Sequence, residues 1–310
     1  MNLSKLSDPV KKIIHLVNIV DFKAGSEHAI AQNITLESLK RAKIYAENQG
    51  LEIKLLSAQY PEDHTRIPEW IEATEDLEFS CLEYPELLDN RKLPSLADII
   101  QRGLDAAVDA DALIYSNIDI AVQKEIYVNV KNELDQGAES LSITRRTIPQ
   151  EFDSPEQLDA MYQSKGEAHP GDDFFVFSKA CFPKMSLRPV FVGVCWFDKI
   201  LLLNAAAYGR PFKKIRDQCW TFHLGDDRTW STDRLHLISE YNRKYLVELV
   251  EEIEAKQGYA PRNKLFWPHV RSVYELIGFE VKKNIGDHIQ EFVDSIIKKF
   301  KSKVKNLLVK

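Results

Sequence analysis

Three consecutive runs near the start decide the fold: KIIHLVNIV at residues 12–20, TLESLKRAKIYAENQ at 35–49 and LEIKLLSA at 51–58. The first is a short apolar run rich in β-branched residues, and the third is a second short, largely apolar run. The second spaces its apolar positions as a helix does and stops at Gly50, a residue suited to the left-handed turn that ends helices. Strand, helix, strand at this spacing is a βαβ unit, which implies a parallel sheet with a right-handed crossover. The alternation continues outward. A helix at about 95–108 precedes the strand ADALIYS (110–116), a helix at 123–136 stops at Gly137, and AESLSITR (138–145) follows as the next strand.

Beyond residue 150 the pattern loosens. A polar stretch, EFDSPEQLDAMYQSKGEAHPGDD (151–173), leads to the strand FFVFS (174–178). The run RPVFVGVCWFDKILLLNAAAYG (188–209) then reads as a strand passing into a helix. No compositional linker divides the chain. The expected class is α/β, a mixed sheet flanked by helices over residues 1–235, followed by a helical C-terminal extension over 236–310.

Bulk properties exclude several roles. The 310 residues are 44% hydrophobic and 28% charged, the composition of an ordinary globular protein. A net charge of -6 argues against a nucleic-acid binder, whose phosphate-tracking surface needs excess Lys and Arg. The start, MNLSKLSDPVKK, has no apolar signal core, and no run of about 18 apolar residues exists to span a bilayer, so a cytoplasmic location is expected. The four cysteines are scattered in apolar surroundings and read as reduced thiols. Residues 287–310 form a basic amphipathic pattern with six lysines after Ile297. It suits docking on an anionic membrane or a partner, or packing on its own domain with the lysines solvated.

Glycine is scarce, and neither a G-x-G-x-x-G nor a P-loop pattern is present. The remaining chemistry sits at strand ends, where open α/β sheets bind ligands. Asn117-Ile118-Asp119 follows ADALIYS, and in an extended chain both side chains would face one Mg²⁺ or Mn²⁺ bridging a diphosphate. The same residues would equally serve as a turn capping the next helix. Trp196 and Asp198 in GVCWFD pair a ring that can stack on a sugar with an acid that can take a hydroxyl proton, or they pack and cap. His223, ending Trp220-Thr221-Phe222-His223, is either a third metal ligand or a structural histidine. His169-Pro170-Gly171-Asp172-Asp173 is either an acceptor-pocket segment or a loop. Asp226 and Asp227 read as a turn.

In their order, these segments make the chain resemble the nucleotide-diphospho-sugar glycosyltransferases of GT-A type, including bacterial and viral members, over most of residues 12–230. The resemblance implies a Rossmann-like GT-A fold and a nucleotide-sugar donor contacted by the segment 32–38. It implies that YSNIDI is the metal and diphosphate motif, with Asn117 in place of the first acid. It places Arg145 or Arg146 of ITRRTIP toward the donor. It puts Asp172 and Asp173 of GDDFFVFS with Trp196 on the side of a glycan or other hydroxyl acceptor, and makes Asp198 the acceptor-binding acid and base. It lets His223 complete a Mn²⁺ or Mg²⁺ site with Asn117 and Asp119. The expected activity is transfer of a sugar to an acceptor hydroxyl. The alternatives are a catalytically reduced nucleotide- or glycan-binding protein, a metal-dependent phosphoesterase using His169, Asp172, His223 and Asp226, and an interaction protein acting through its C-terminal helix.

Overall fold

The computed structural model describes residues 8–87, 89–216, 218–225, 235–258, 271, 273 and 274. The C-terminal amphipathic pattern at 287–310, together with Asp226 and Asp227, lies outside the described residues. The chain divides into compact units at Met1–Val270 and Arg271–Lys310. All the strands and helices named below lie in the first.

The opening βαβ unit is β1 (Lys12–Val17), α1 (Glu27–Glu47) and β2 (Glu52–Ser57), with β1 and β2 parallel. Helix α1 begins eight residues before the periodic run at 35, because Ser26 caps it by accepting from the Ala29 amide at 3.2 Å. The chain continues through β3 (Glu72–Ala73), α2 (Leu96–Ala106), β4 (Ala112–Ser116), β5 (Ala121–Val122), α3 (Ile126–Asp135) and β6 (Ser140–Ile148). Next come α4 (Leu158–Gln163), β7 (Glu167–Ser178), α5 (Phe197–Tyr208), β8 (Phe212–Ile215), β9 (Thr221–Leu224) and α6 (His236–Gln257).

These nine strands form one sheet in the order β3-β2-β1-β4-β7-β6-β9-β5. Strand β8 also pairs with β6, along residues 140–143, while β9 takes residues 146–148 of the same strand. Strands β1, β2, β3, β4, β6, β8 and β9 run the same way; β7, wedged between β4 and β6, runs against them, as does β5 beside β9. This is the mixed sheet flanked by helices that the sequence implies. Central strands are buried on both faces, which is why β1 and β4 read as continuous apolar runs and not as alternating ones.

Helices α1 and α3 cover one face, where Leu36, Leu39, Ala42, Ile126 and Val130 meet Ile13, Ile114 and Val176 in one buried cluster. Helix α2 lies on the other face, close enough that a Cβ on Gly103 would come within 2.6 Å of Leu16 Cδ2. Helix α5 packs on β6 and β7, and α6 packs on α5.

Three local expectations are corrected. The segment 169–173 is not a loop but part of β7, with register shifts opposite Thr144 that take up Pro170 and Gly171. The stretch before α5 forms no strand, only a bridge between Ser95 and Phe191. Asn117 to Ile120 is a tight turn, closed by the Ile120 amide on the Asn117 carbonyl at 3.1 Å, so alternation along an extended chain does not set its side chains.

Candidate active site

Because β4, β6 and β9 run together, their carboxyl ends share one edge of the sheet, and reversed β7 enters at that same edge. Phe174 of β7 stands opposite Ser116, Asp172 opposite Thr144, and His223 beside Thr147. The register therefore gathers side chains from four separate stretches of sequence, in the place where open α/β sheets take their ligands.

Asp119 meets His223, Oδ2 to Nε2 at 3.3 Å. The other ring nitrogen, Nδ1, lies 2.9 Å from the Gly225 carbonyl, which can only accept, so Nδ1 carries a proton. Nε2 then faces the carboxylate either protonated or with its lone pair turned toward a cation. Burial works against charging this imidazole, yet the hydrogen bond and charge of Asp119 outweigh it and hold the pKa above the ordinary 6.5. Burial likewise opposes ionisation of Asp119, but His223 and Arg145 bring its pKa below 3.8.

Asp173 lies beside this pair. Asn117 Nδ2 donates to its Oδ1 at 3.3 Å, and Arg145 Nη1 sits 3.3 Å from its Oδ2. Burial pushes the Asp173 carboxyl up to about 6; Arg145 pulls it down, while Asp119, Asp198 and Asp172 push it further up. Asp119 Oδ1, Asp173 Oδ2 and Arg145 Nε are all buried without a hydrogen-bond partner. Buried polar atoms are nearly always paired; Asp173 Oδ2 keeps its ion pair with Arg145, whereas Asp119 Oδ1 and Arg145 Nε mark a place for a ligand group or water.

Asp172, one residue earlier, points elsewhere. It is 1% exposed, accepts from Ser142 Oγ at 2.5 Å, and pairs with Lys214 at 2.7 Å and Lys199 at 3.6 Å. Lys199 also binds Asp198 at 2.7 Å in the first turn of α5. Burial opposes charge on Lys199, but Asp198 and Asp172 more than compensate and raise its pKa. Trp196 holds the N-cap of α5 in the left-handed region, φ 82°.

The two adjacent arginines separate, as neighbours on a strand must. Arg145 joins Asp173. Arg146, 5% exposed, donates to the carbonyls of Cys219 (3.1 Å) and Met161 (3.3 Å) and lies over the Phe222 ring. The segment 32–38 is occupied internally: Gln32 bonds both backbone groups of Val20, and Ser38 accepts from Val122. Instead it is the first turn of α1 that opens on a cavity of about 300 Å³. Its lining includes Asp119 and His223 together with Glu27, His28, Gln150 and Phe152. Sequence reasoning missed these last four; the lone aromatic Phe152 in a polar stretch is the one signal that pointed to any of them.

The Asp119–His223 pair supplies one carboxylate with a free oxygen and one imidazole, a donor set that suits Mn²⁺ or Mg²⁺ when phosphate oxygens and water fill the other positions. Asn117 turns to Asp173 and not to this pair. Among the described residues no group of three or more His, Cys, Asp or Glu is arranged to hold a metal, and no helix is long and apolar enough to cross a membrane.

No known protein family matches the chain, and no curated protein sequence does. Solved structures that share its fold include S. aureus TarS 1-349 in complex with UDP-GlcNAc, 10% identical over 86% of this chain and 80% of that one, with a TM-score of 0.43. Another is the catalytic domain of Drosophila beta1,4galactosyltransferase 7 in complex with xylobiose, 11% identical over 74% and 79%, TM-score 0.41. A third is the 4-diphosphocytidyl-2C-methyl-D-erythritol synthase of Anaerococcus prevotii, 11% identical over 75% and 98%, TM-score 0.38. The likeness is one of fold.

Proposed function

We propose that this protein transfers a glycosyl group from a nucleoside diphosphate sugar to a hydroxyl of an acceptor. The observation that carries the proposal is the Asp119–His223 pair, with an unpartnered carboxylate oxygen, on the wall of a cavity of about 300 Å³ at the carboxyl ends of the strands. That volume is at the lower end of the range for small-ligand sites. In this reading Asp119 and His223 would hold a divalent cation, which would supply charge to offset that of the leaving diphosphate. Arg145, at the edge of the same cluster, would turn its guanidinium to a phosphate oxygen. Asp198 accepts the acceptor's hydroxyl proton as the acceptor oxygen bonds to the anomeric carbon and the bond to the diphosphate breaks, which inverts that centre. Lys199 pairs with the Asp198 carboxylate until then.

A second reading, a nucleotide- or glycan-binding protein without turnover, is favoured by one feature: Asn117 stands where an acid would strengthen the metal site, and its amide is bonded to Asp173. The test is release of free nucleoside diphosphate from UDP-, GDP- and CDP-sugars with Mn²⁺, in wild type and Asp198→Asn. The transferase reading expects release from one donor, lowered about 100-fold or more in the variant. Turnover within a few-fold of wild type removes Asp198 from its role. Binding without release selects the second reading, and hydrolysis of p-nitrophenyl phosphate would select a phosphoesterase.

A further inference from the structure

The loop before α5 is held from two sides. On one, the Leu96 amide donates to the Val190 carbonyl at 2.7 Å and the Val192 amide to the Pro94 carbonyl at 3.0 Å. On the other stands Asn242 of α6, which is 0% exposed. Its Oδ1 accepts from the Phe191 amide at 2.9 Å, and its Nδ2 donates to the carbonyls of Phe191 (2.9 Å) and Cys195 (3.0 Å).

Gly193, at φ 84°, lies between these ties and Trp196, at φ 82°, directly follows the last of them; both are left-handed. Glycine adopts that conformation freely. In a tryptophan it costs about 1–2 kcal/mol, and such strain persists only where the surroundings over-determine it. The Trp196 carbonyl then receives the first amides of α5, from Lys199 (3.1 Å) and Ile200 (3.3 Å). The direction in which α5 sets out, and with it the placing of Asp198, depends on where the preceding Cys195 peptide is fixed.

We propose that Asn242 is a positioning residue: by anchoring Phe191 and the Cys195 carbonyl it holds Trp196 in its strained conformation and presents Trp196 and Asp198 to the acceptor. This makes α6 part of the working site and not an appendage to it. The inference rests on the acceptor-side reading of Trp196 and Asp198 given above.

The loop carries its own reporter, the half-buried Cys195, with exposed Cys219 and buried Cys181 as references. The test is iodoacetamide labelling of the full chain, read peptide by peptide, in wild type, Asn242→Ala and Asn242→Ser. The clamp predicts that Cys195 labels at least tenfold faster in Asn242→Ala and in Asn242→Ser, whose side chains are too short to reach Phe191 or the Cys195 carbonyl, while Cys181 stays within twofold. Affinity for UDP, GDP or CDP with Mn²⁺ stays within twofold. A rise of Cys195 only in step with Cys181, or none, shows that Asn242 merely packs and overturns the proposal. If the wild type binds no nucleotide, the donor reading fails while the labelling still decides the clamp. Should neither variant fold, amide exchange in the wild type decides it: peptide 191–197 exchanging as slowly as the β4 strand supports the clamp, and exchange at open-loop rates overturns it.

Discussion

Asp173→Asn should stabilise this protein at neutral pH. The wild-type carboxyl ionises at about 6 in the fold and near 3.8 in the unfolded chain, because burial penalises its charge more than Arg145 relieves it. Holding it ionised in the fold therefore costs about 3 kcal/mol. The sign follows from proton binding. The folded chain binds this proton more tightly, so stability is full below pH 3.8 and is lost as pH rises through 6. Asparagine keeps the shape without the charge and should recover up to about 3 kcal/mol at pH 7.5, and about half of that at pH 5. In thermal midpoint this is roughly 6–12 °C at pH 7.5 for a unit of this size. The assay is urea and thermal unfolding of both proteins in EDTA at the two pH values. An Asn variant less stable than wild type at pH 7.5, or a gain equal at both pH values, would overturn this expectation and show that the ion pair with Arg145 outweighs the burial of Asp173.

The paired arginines should divide by nucleotide affinity. Arg146→Met leaves the carbonyls of Cys219 and Met161 unpaired and should cost about 2–4 kcal/mol of stability with nucleotide affinity of the folded protein intact. Arg145→Met should weaken nucleotide binding about tenfold and also lower stability at neutral pH, because Asp173 loses its ion pair, so it is nucleotide affinity in calorimetry that separates the two variants. The raised pKa of His223 predicts that, without metal, the stability difference between wild type and Asp119→Asn is full below pH 6.5 and shrinks as pH rises through the folded value. His15 is wholly buried between the Tyr127 and Ser116 hydroxyls, both at 2.9 Å, and burial lowers its pKa to about 3. Its contribution is present above pH 6.5 and is lost as pH falls toward 3, and His15→Leu, which orphans two hydroxyls, should cost about 1–3 kcal/mol at pH 7.5 and abolish that dependence.

What the sequence made legible follows from which forces are local. The opening βαβ unit could be read because apolar runs and a glycine stop encode strands buried on both faces and a helix end. The start of α1 could not, because a Ser26 cap and a weakly periodic first turn decide it. The segment 169–173 reads as turn chemistry, since Pro170 and Gly171 are ordinary turn residues; only pairing with β6, some 25 residues back along the chain, makes it a strand with a bulge. In the site, Asp119 and His223 were legible as residue types at strand ends, and the antiparallel pairing of β5 with β9, Ala121 opposite Phe222, brings them together. The separation of Arg145 from Arg146, and the capture of Asp172 by Ser142, Lys199 and Lys214, depend on which face of a strand meets which neighbour, and no spacing in the sequence carries that. Asn242, Phe152 and His28 reach their places through tertiary packing alone.

If Asp119 and His223 form the floor of a metal-assisted nucleoside diphosphate site, nucleotide, cation and carboxylate must depend on one another. Calorimetric titration of UDP, GDP and CDP into wild type and Asp119→Ala, with and without Mn²⁺, measures that dependence. Micromolar binding of one nucleotide that requires the metal and is lost in the variant is the expected result. Failure of every nucleotide to bind under either condition, or binding indifferent to both the metal and Asp119, would contradict the assignment.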